Sequence, residues 1–523
     1  MASLVLVNGK VVTVDDQFSV CQAVAVDGDR IMAVGPDSAV KAQAGPGAAV
    51  IDLGGKTVIP GLIDNHNHFV RATEHVEVRL EGVRTRAAAL DVLARRAARL
   101  TPGQWLLTLG GWHEDQWEGD RGGLTLAELD AAGGGHPAFI QAQYDHVFVN
   151  TAWVDAMGVP PGADARATGR VGGGLVALNR AAAGFPTAGP EEGVRAAMAY
   201  YNSLGLTTVF DPGGVGVSGA AYAAVEAIAA RGELTLRVCT TLGDTRSSSS
   251  AADARALAEL ITARGPFRGD QWYDQIAVGE IYHAPFHWDH TASPPRPSGS
   301  DIEAATGILL AAARAGWPVQ THSVTTQGLG LVFDAYERVN RDHAIRPLRW
   351  SVTHAEGITA QQLERARRLG VTIQLRSQSV IGNQGRAIAA FGTPAARRMP
   401  PLRLVQDSGL TWGLGTDGTR AAQINPFITL WWAATGRSLG GDQVLDEPVT
   451  REQALIAHTR GNARLMFREN YLGSIAPGLL ADMVVLDRDY LTVPEDEIRD
   501  IRPVATIVAG KVVYGALPVS RAG

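Results

Sequence analysis

The chain holds 523 residues, 46% hydrophobic and 19% charged, a balance that excludes a disordered chain and provides for a large core in more than one structural unit. A formal net charge of −6 without a basic run argues against nucleic acid or an anionic membrane as partner and leaves a small molecule. Two cysteines, Cys21 and Cys239, exclude a disulfide framework and fit a reducing compartment.

Residues 1–59 read as β structure: LVLVNGKVVTVD and AVAVDGDRIMAVG alternate polar and apolar residues, with NG and DG at the turns. The opening MASLVLVNGKVV has this strand alternation instead of a signal peptide's charged start and long apolar core. No run reaches membrane-spanning length, so a cytoplasmic protein is expected. Next, VIPGLIDNHNH (58–68) ends an apolar run with His66 and His68. Side chains at i and i+2 of a strand share one side, so the two imidazoles converge and make half of a divalent-metal site.

Residues 60–463 alternate apolar strands with helical stretches: TTVFD (207–211), QIAVGEI (275–281), PVQTHS (318–323), RWSVTHA (349–355), VTIQLR (371–376) and LTWGLGTDG (410–418). The alternation predicts a parallel α/β barrel or a doubly wound sheet. The barrel is favoured, because the chemically interesting residues end different strands, the face on which barrel active sites are built. From about 70 to 200 the repeat breaks. Aromatic and glycine-rich pieces (LGGWHEDQWEG, VGGG) predict a subdomain inserted over the barrel mouth. Residues 245–253 form a small polar loop and 284–300 a proline- and serine-rich one. Residues 464–523 mirror the start with ADMVVLDRD and ATIVAGKVVYG. Two β segments at opposite ends, each too small to fold alone, predict one small composite β-sandwich domain.

The order of GLIDNHNH, LGGWHEDQW, QYDHVFVNTAWV, GLTTVFD, VQTHS, SVTHAEG, GLGTDG, NP (425–426) and GSIAPGLLADMVVLD resembles the amidohydrolase superfamily over nearly the whole chain. Within it, the branch of N-substituted formamide deformylases and related metal-dependent hydrolases (amidohydrolase family 3) is nearest. The resemblance implies a distorted (β/α)8 TIM barrel in which His66 and His68 bind one divalent metal, with zinc expected. It further implies that His322 and His354 bind a second metal or assist the first, and that Asp417 sits beside the metal-bound water. The residue types suit that work. Neutral imidazole and carboxylate are preferred zinc ligands, an open position makes the site catalytic, and the ion brings the ionisation of a bound water near neutral pH. Asp417 then accepts the proton and passes it to the leaving nitrogen. A histidine hydrogen-bonded beneath a helix is the structural alternative for His322 and His354, and a cap or turn is the alternative for Asp417. Their order after His66 and His68 favours ligation.

Two-metal members bridge their ions with a carboxylated lysine on the fourth strand. Here lysine occurs only at Lys10, Lys41, Lys56 and Lys511, so the barrel has none. In that place QIAVGEIYH offers Glu280, whose two oxygens can each take one ion; paired with a core arginine instead, it would leave a mononuclear site. One or two metals per chain are therefore expected. His146, in QYDHVFVN, resembles the branch's histidine that approaches the substrate and is expected to donate to the developing oxyanion. Tyr144 is second for that work, and structural burial in the inserted subdomain is the alternative. Trp112, His113, Glu114 and Trp117 read as lid or pocket wall, the tryptophans by packing. His283, His287, Asp289 and His290 read as pocket lining. ARRAARL and RARRLG are solvated helix faces, and Gly172–Gly174 lacks the strand-and-helix setting of a nucleotide loop.

The expected activity is hydrolysis of a non-peptide carbon–nitrogen bond in an amide, N-acyl, formamide or carbamate-like small molecule. Three rivals stand beside it: a mononuclear ring-amine deaminase with His322 and Glu280 as proton carriers, a non-catalytic scaffold relative, and a metal-assisted lyase or hydratase. A scaffold relative would be expected to lose metal ligands, and these are present. A homodimer is the expected assembly.

Overall fold

The computed structural model describes residues 1–523 apart from 161, 173–184, 186–188, 214–218, 243–247, 288–295, 378–379, 382–387, 389–391, 518–523 and the side chains of 219–221. Gly173, Gly174, Asp289, His290 and parts of the 245–253 and 284–300 loops lie outside the described residues.

Eight strands form the central sheet: β1 (Leu62–Asp64), β2 (Leu206–Asp211), β3 (Arg237–Thr241), β4 (Tyr273–Glu280), β5 (Val319–Ser323), β6 (Ser351–His354), β7 (Thr372–Arg376) and β8 (Trp412–Gly415). Each is parallel to the next, with Glu280 opposite Thr321, Ser323 opposite His354 and Arg376 opposite Gly415. They are short and buried on both faces, as strands covered by helices must be. The helix Thr326–Asp342 shows the covering layer. Thr325 caps its first turn by accepting from the Gly328 N–H, and Leu329, Val332, Phe333, Tyr336 and Val339 form its buried stripe.

β8 and β1 close the barrel without a regular ladder. Beyond their ends, Asp417 N–H donates to the His66 carbonyl at 2.8 Å and His68 N–H to the Gly418 carbonyl at 2.7 Å. Further down, the Asn462 amide donates to the carbonyls of Ile63 (2.5 Å) and Leu414 (2.7 Å) and accepts from Asn65 (2.6 Å). A Cβ on Gly413 would stand 1.9 Å from Asn462 Oδ1, so this strand position needs glycine. One buried side chain thus spans the seam between the two strands that carry His66, His68 and Asp417.

The two chain ends build two further sheets. One orders Arg30–Gly35, Ala23–Asp27, Ala2–Val7 and Ala44–Asp52, all N-terminal. The other mixes both ends: Lys511–Gly515, Pro503–Val508 and Met483–Leu486 join Thr57–Pro60, Lys10–Val12 and Val20–Cys21, with Val485 opposite Val58. Leu6, Val24, Val58, Met483 and Ile507 share one core between them. All four lysines of the chain belong to this terminal unit, Lys10 and Lys511 in its strands, Lys56 in a loop and Lys41 at the end of its short helix Asp37–Lys41. It is tied to the barrel by a buried bidentate pair, Arg237 Nε and Nη2 on Asp482 at 2.7 and 3.0 Å.

The lobe inserted after β1 has its own sheet, in the order Arg170–Gly172, His146–Val149, Ala138–Ala142, Leu106–Leu109. The helices Arg86–Ala97 and Leu126–Gly133 pack on it, and Trp112 stacks on Trp117 with centroids 5.5 Å apart in its core. The tryptophans are therefore packing residues. Among the described residues no helix is long and apolar enough to cross a membrane.

Candidate metal centre

His66 and His68 leave β1 where the chain turns into the short helix Phe69–Ala72. Glu280 ends β4, His322 lies in β5, His354 ends β6 and Asp417 follows β8. All six residues meet at the C-terminal mouth of the barrel. Glu280 is central: its Oε2 stands 2.9 Å from His354 Nε2, 3.0 Å from His322 Nδ1 and 3.6 Å from His66 Nε2. Its Oε1 faces His68 Nε2 at 3.7 Å. Asp417 Oδ1 is 3.1 Å from His68 Nε2 and 3.6 Å from His66 Nε2. His354 and Asp417 have φ of 72° and 64°, a left-handed conformation that costs on the order of 1–3 kcal/mol per non-glycine residue and clusters at functional sites.

The neighbours fix the orientation of several of these groups. The Gly213 carbonyl lies 2.8 Å from His68 Nδ1, which puts the proton there and leaves Nε2 its lone pair. His66 Nδ1 meets Thr353 Oγ1 at 2.9 Å, and its buried Nε2 has no hydrogen-bond partner. Asp211, which sequence reading passed over, braces this arrangement by accepting from the N–H groups of Val70 (2.9 Å) and Gly213 (2.8 Å). Arg376, at the end of β7, reaches Asp417 Oδ2 with Nη1 and Glu356 Oε1 with Nε at 2.8 Å. Burial pushes the Asp417 carboxyl up, but the Arg376 guanidinium and the imidazoles of His66 and His68 outweigh it and hold it well below the usual range. Burial likewise opposes ionisation of Glu280, while His66, His322 and His354 hold its carboxyl well below the ordinary value. Burial, with Arg376 and His322 nearby, keeps His354 neutral.

These residues fit a divalent cation. Two ligand atoms each about 2.1 Å from one ion stand about 3.4 Å apart at the tetrahedral angle, and the spacings around His66, His68, Glu280 and Asp417 run from 3.1 to 3.7 Å. Two overlapping sets result, His66 with Glu280 and His354, and His66 with His68 and Asp417. The orphaned buried Nε2 of His66 belongs to both.

The remaining candidates lie elsewhere. His146 sits in the inserted sheet, its Nε2 2.9 Å from Glu114 Oε1 and its Nδ1 accepting from Arg170 Nη2 at 3.1 Å. With His113 it forms a separate cluster. Tyr144 instead receives a hydrogen bond from Arg71 Nη1 at 3.2 Å, and the charges of Asp417 and Glu280 reach its phenol. His287 braces β5 through its contact with the His322 carbonyl at 3.1 Å, and burial pushes its imidazole down to about 3. His283 is held by Ser248 Oγ at 2.8 Å.

Comparison with known proteins agrees with this architecture. The chain is 27% identical to the N-substituted formamide deformylase of Arthrobacter pascens, with 98% of each chain covered. Its fold matches a metal-dependent hydrolase from Pyrococcus furiosus (TM-score 0.64, 21% identity, 94% of this chain and 100% of that one). It also matches the zinc complex of atrazine chlorohydrolase from Arthrobacter aurescens TC1 (TM-score 0.54, 19% identity, 99% and 97%). The amidohydrolase family profile matches residues 49–514. With its barrel, its metal-ligand clusters and this match, the chain belongs to the amidohydrolase family, as a metal-dependent hydrolase of carbon–nitrogen bonds other than peptide links.

Proposed function

We propose that the protein hydrolyses the amide-type bond of a small N-formyl, N-acyl or carbamate-like compound at a centre where His66, His68, Glu280, His322, His354 and Asp417 would hold two zinc ions, with Glu280 shared between them. The observation that carries this reading is the place of the Glu280 carboxylate between the two histidine pairs, with Oε2 2.9, 3.0 and 3.6 Å from His354, His322 and His66 and Oε1 3.7 Å from His68. A carboxylate shared in this way stands in for the carbamate that a lysine-free barrel cannot make. The name of the Arthrobacter pascens relative supports a formamide or similar substrate.

Divalent zinc supplies Lewis acidity, polarising a carbonyl and bringing the ionisation of water near neutral pH. Asp417, held ionised by Arg376, takes the proton of the attacking water and returns it to the departing nitrogen. Thr353 and the Gly213 carbonyl fix the imidazole planes of His66 and His68. Fixed groups need no reorganisation during reaction, which is the main electrostatic advantage of such a site.

Elemental analysis of wild type and Glu280→Ala tests the centre, and release of amine, with carboxylic acid from N-substituted formamides and acetamides or with alcohol and carbon dioxide from carbamates, tests the reaction. Two metals per chain falling to one or none in the variant, with amine released by wild type, is the expected result. One metal in both proteins overturns the bridge. Release of ammonia from ring amines, with no amide cleaved, overturns the substrate class.

A further inference from the structure

Tyr144 stands in the turn between the inserted strands Ala138–Ala142 and His146–Val149, and this turn is fastened to the loop following β8. Gln143 Nε2 donates to the Ala421 carbonyl at 3.0 Å. Gly111 N–H donates to the Arg420 carbonyl at 3.1 Å, and Gly110 N–H to the Gln141 carbonyl at 3.2 Å. Gln143 itself has a φ of 44°, so the tip of the turn is held in the left-handed region by these attachments. From the other side comes Arg71, one helical turn beyond His68, whose Nη1 lies 3.2 Å from the Tyr144 hydroxyl.

The hydrogen bond has only one direction. A guanidinium donates and cannot accept, so the phenol oxygen is the acceptor and its own O–H remains to donate. No acceptor for that O–H occurs among the described residues, and the side chain is only half-buried. Burial raises the phenol's pKa, Arg71 opposes this, and the nearby charges of Asp417 and Glu280 add to it, so the proton stays on. His146, two residues on, faces Glu114 and Arg170 with its two ring nitrogens.

We propose that Tyr144, positioned by Arg71, donates its hydroxyl hydrogen to the scissile carbonyl oxygen of the bound substrate. The assignment rests on the hydrolytic reading above. It gives the inserted lobe a part in the reaction.

The test compares wild type, Tyr144→Phe, Arg71→Lys and Arg71→Met, all metal-loaded, on the amide that wild type cleaves fastest. It also measures binding of the phosphonate of the same skeleton, whose tetrahedral oxygens imitate the oxyanion. Loss of one such donor lowers kcat about 100-fold, so Tyr144→Phe is expected to fall by that factor with KM within about threefold and phosphonate binding weakened in parallel. Metal content and unfolding midpoint should equal those of wild type, which a merely structural role would not allow. Arg71→Met should show part of the loss and Arg71→Lys less of it. A Tyr144→Phe enzyme with kcat within about threefold of wild type, or a loss confined to KM, overturns the proposal. A wild type that cleaves no amide overturns the hydrolytic reading and the proposal with it.

Discussion

Two clusters in this molecule gather imidazoles around a carboxylate out of water, and they are built for opposite ends. At the barrel mouth, His68 turns Nδ1 to an acceptor, the Gly213 carbonyl, so the proton sits on Nδ1 and Nε2 keeps its lone pair toward the centre, 3.1 Å from Asp417 Oδ1. In the inserted lobe, His146 Nδ1 accepts from Arg170 and His113 Nδ1 from the Asp115 N–H at 3.1 Å. Their protons therefore sit on Nε2, facing Glu114 at 2.9 Å and Asp145 at 3.6 Å. Both clusters bring three ligand-type atoms within 4.8 Å of one another, so proximity does not separate them. Between His68 and the pair His113 and His146 the partner on the far ring nitrogen does, because it sets the tautomer and hence whether a lone pair or a proton faces inward.

That contrast breaks most visibly at His66. Removing a shared ligand should strip metal from the centre and lower hydrolysis at least about a thousandfold, the several kcal/mol a metal supplies to the transition state. Mass spectrometry of His66→Ala showing full metal content would refute the assignment. Next comes Arg376→Met, which leaves Asp417 and Glu356 buried without their counter-charge. Removing one partner of a buried pair costs about 3–5 kcal/mol, and urea unfolding of the metal-free protein should register a loss of that order. In the inserted lobe, His146→Ala leaves Glu114 and Arg170 short of a partner at about 1–3 kcal/mol, while the metal content stays that of wild type. If a metal equivalent disappears, the tautomer argument is wrong. The smallest effect is one of pH. Burial opposes ionisation of Glu114, but His146 and His113 hold its carboxyl below the ordinary value of 4.5. Its contribution is therefore complete above the unfolded value and fades as pH falls through the lower folded one. The stability gap between wild type and Glu114→Gln should narrow in acid, whereas a constant gap would show that the imidazoles do not hold the carboxylate.

The sequence made part of this legible. His66 and His68 end an apolar run, and Glu280, His322, His354 and Asp417 each close, lie in or follow a strand, so their places at strand ends were readable locally, while their grouping as one ligand set came from the resemblance in motif order. The β3 strand Arg237–Thr241 was invisible, because its arginine and threonines look solvent-facing until Asp482, far along the chain, neutralises the charge. Arg376 lay inside a recognised strand, yet its contact with Asp417 is a cross-strand matter that periodicity does not encode. The contacts of His146 with Glu114 and Arg170, and of Tyr144 with Arg71, join residues far apart in the chain, which spacing within QYDHVFVN does not encode.

The confinement of lysine to the terminal β unit has a practical side. Lys10, Lys41, Lys56 and Lys511, with the Met1 amine beside Asp27, are all the primary amines the chain possesses. Residues 57–510 carry none. An amine-reactive dye, crosslinker or resin can therefore grip the protein only by that unit, and an immobilised preparation would present a chemically untouched barrel mouth to whatever substrate is passed over it.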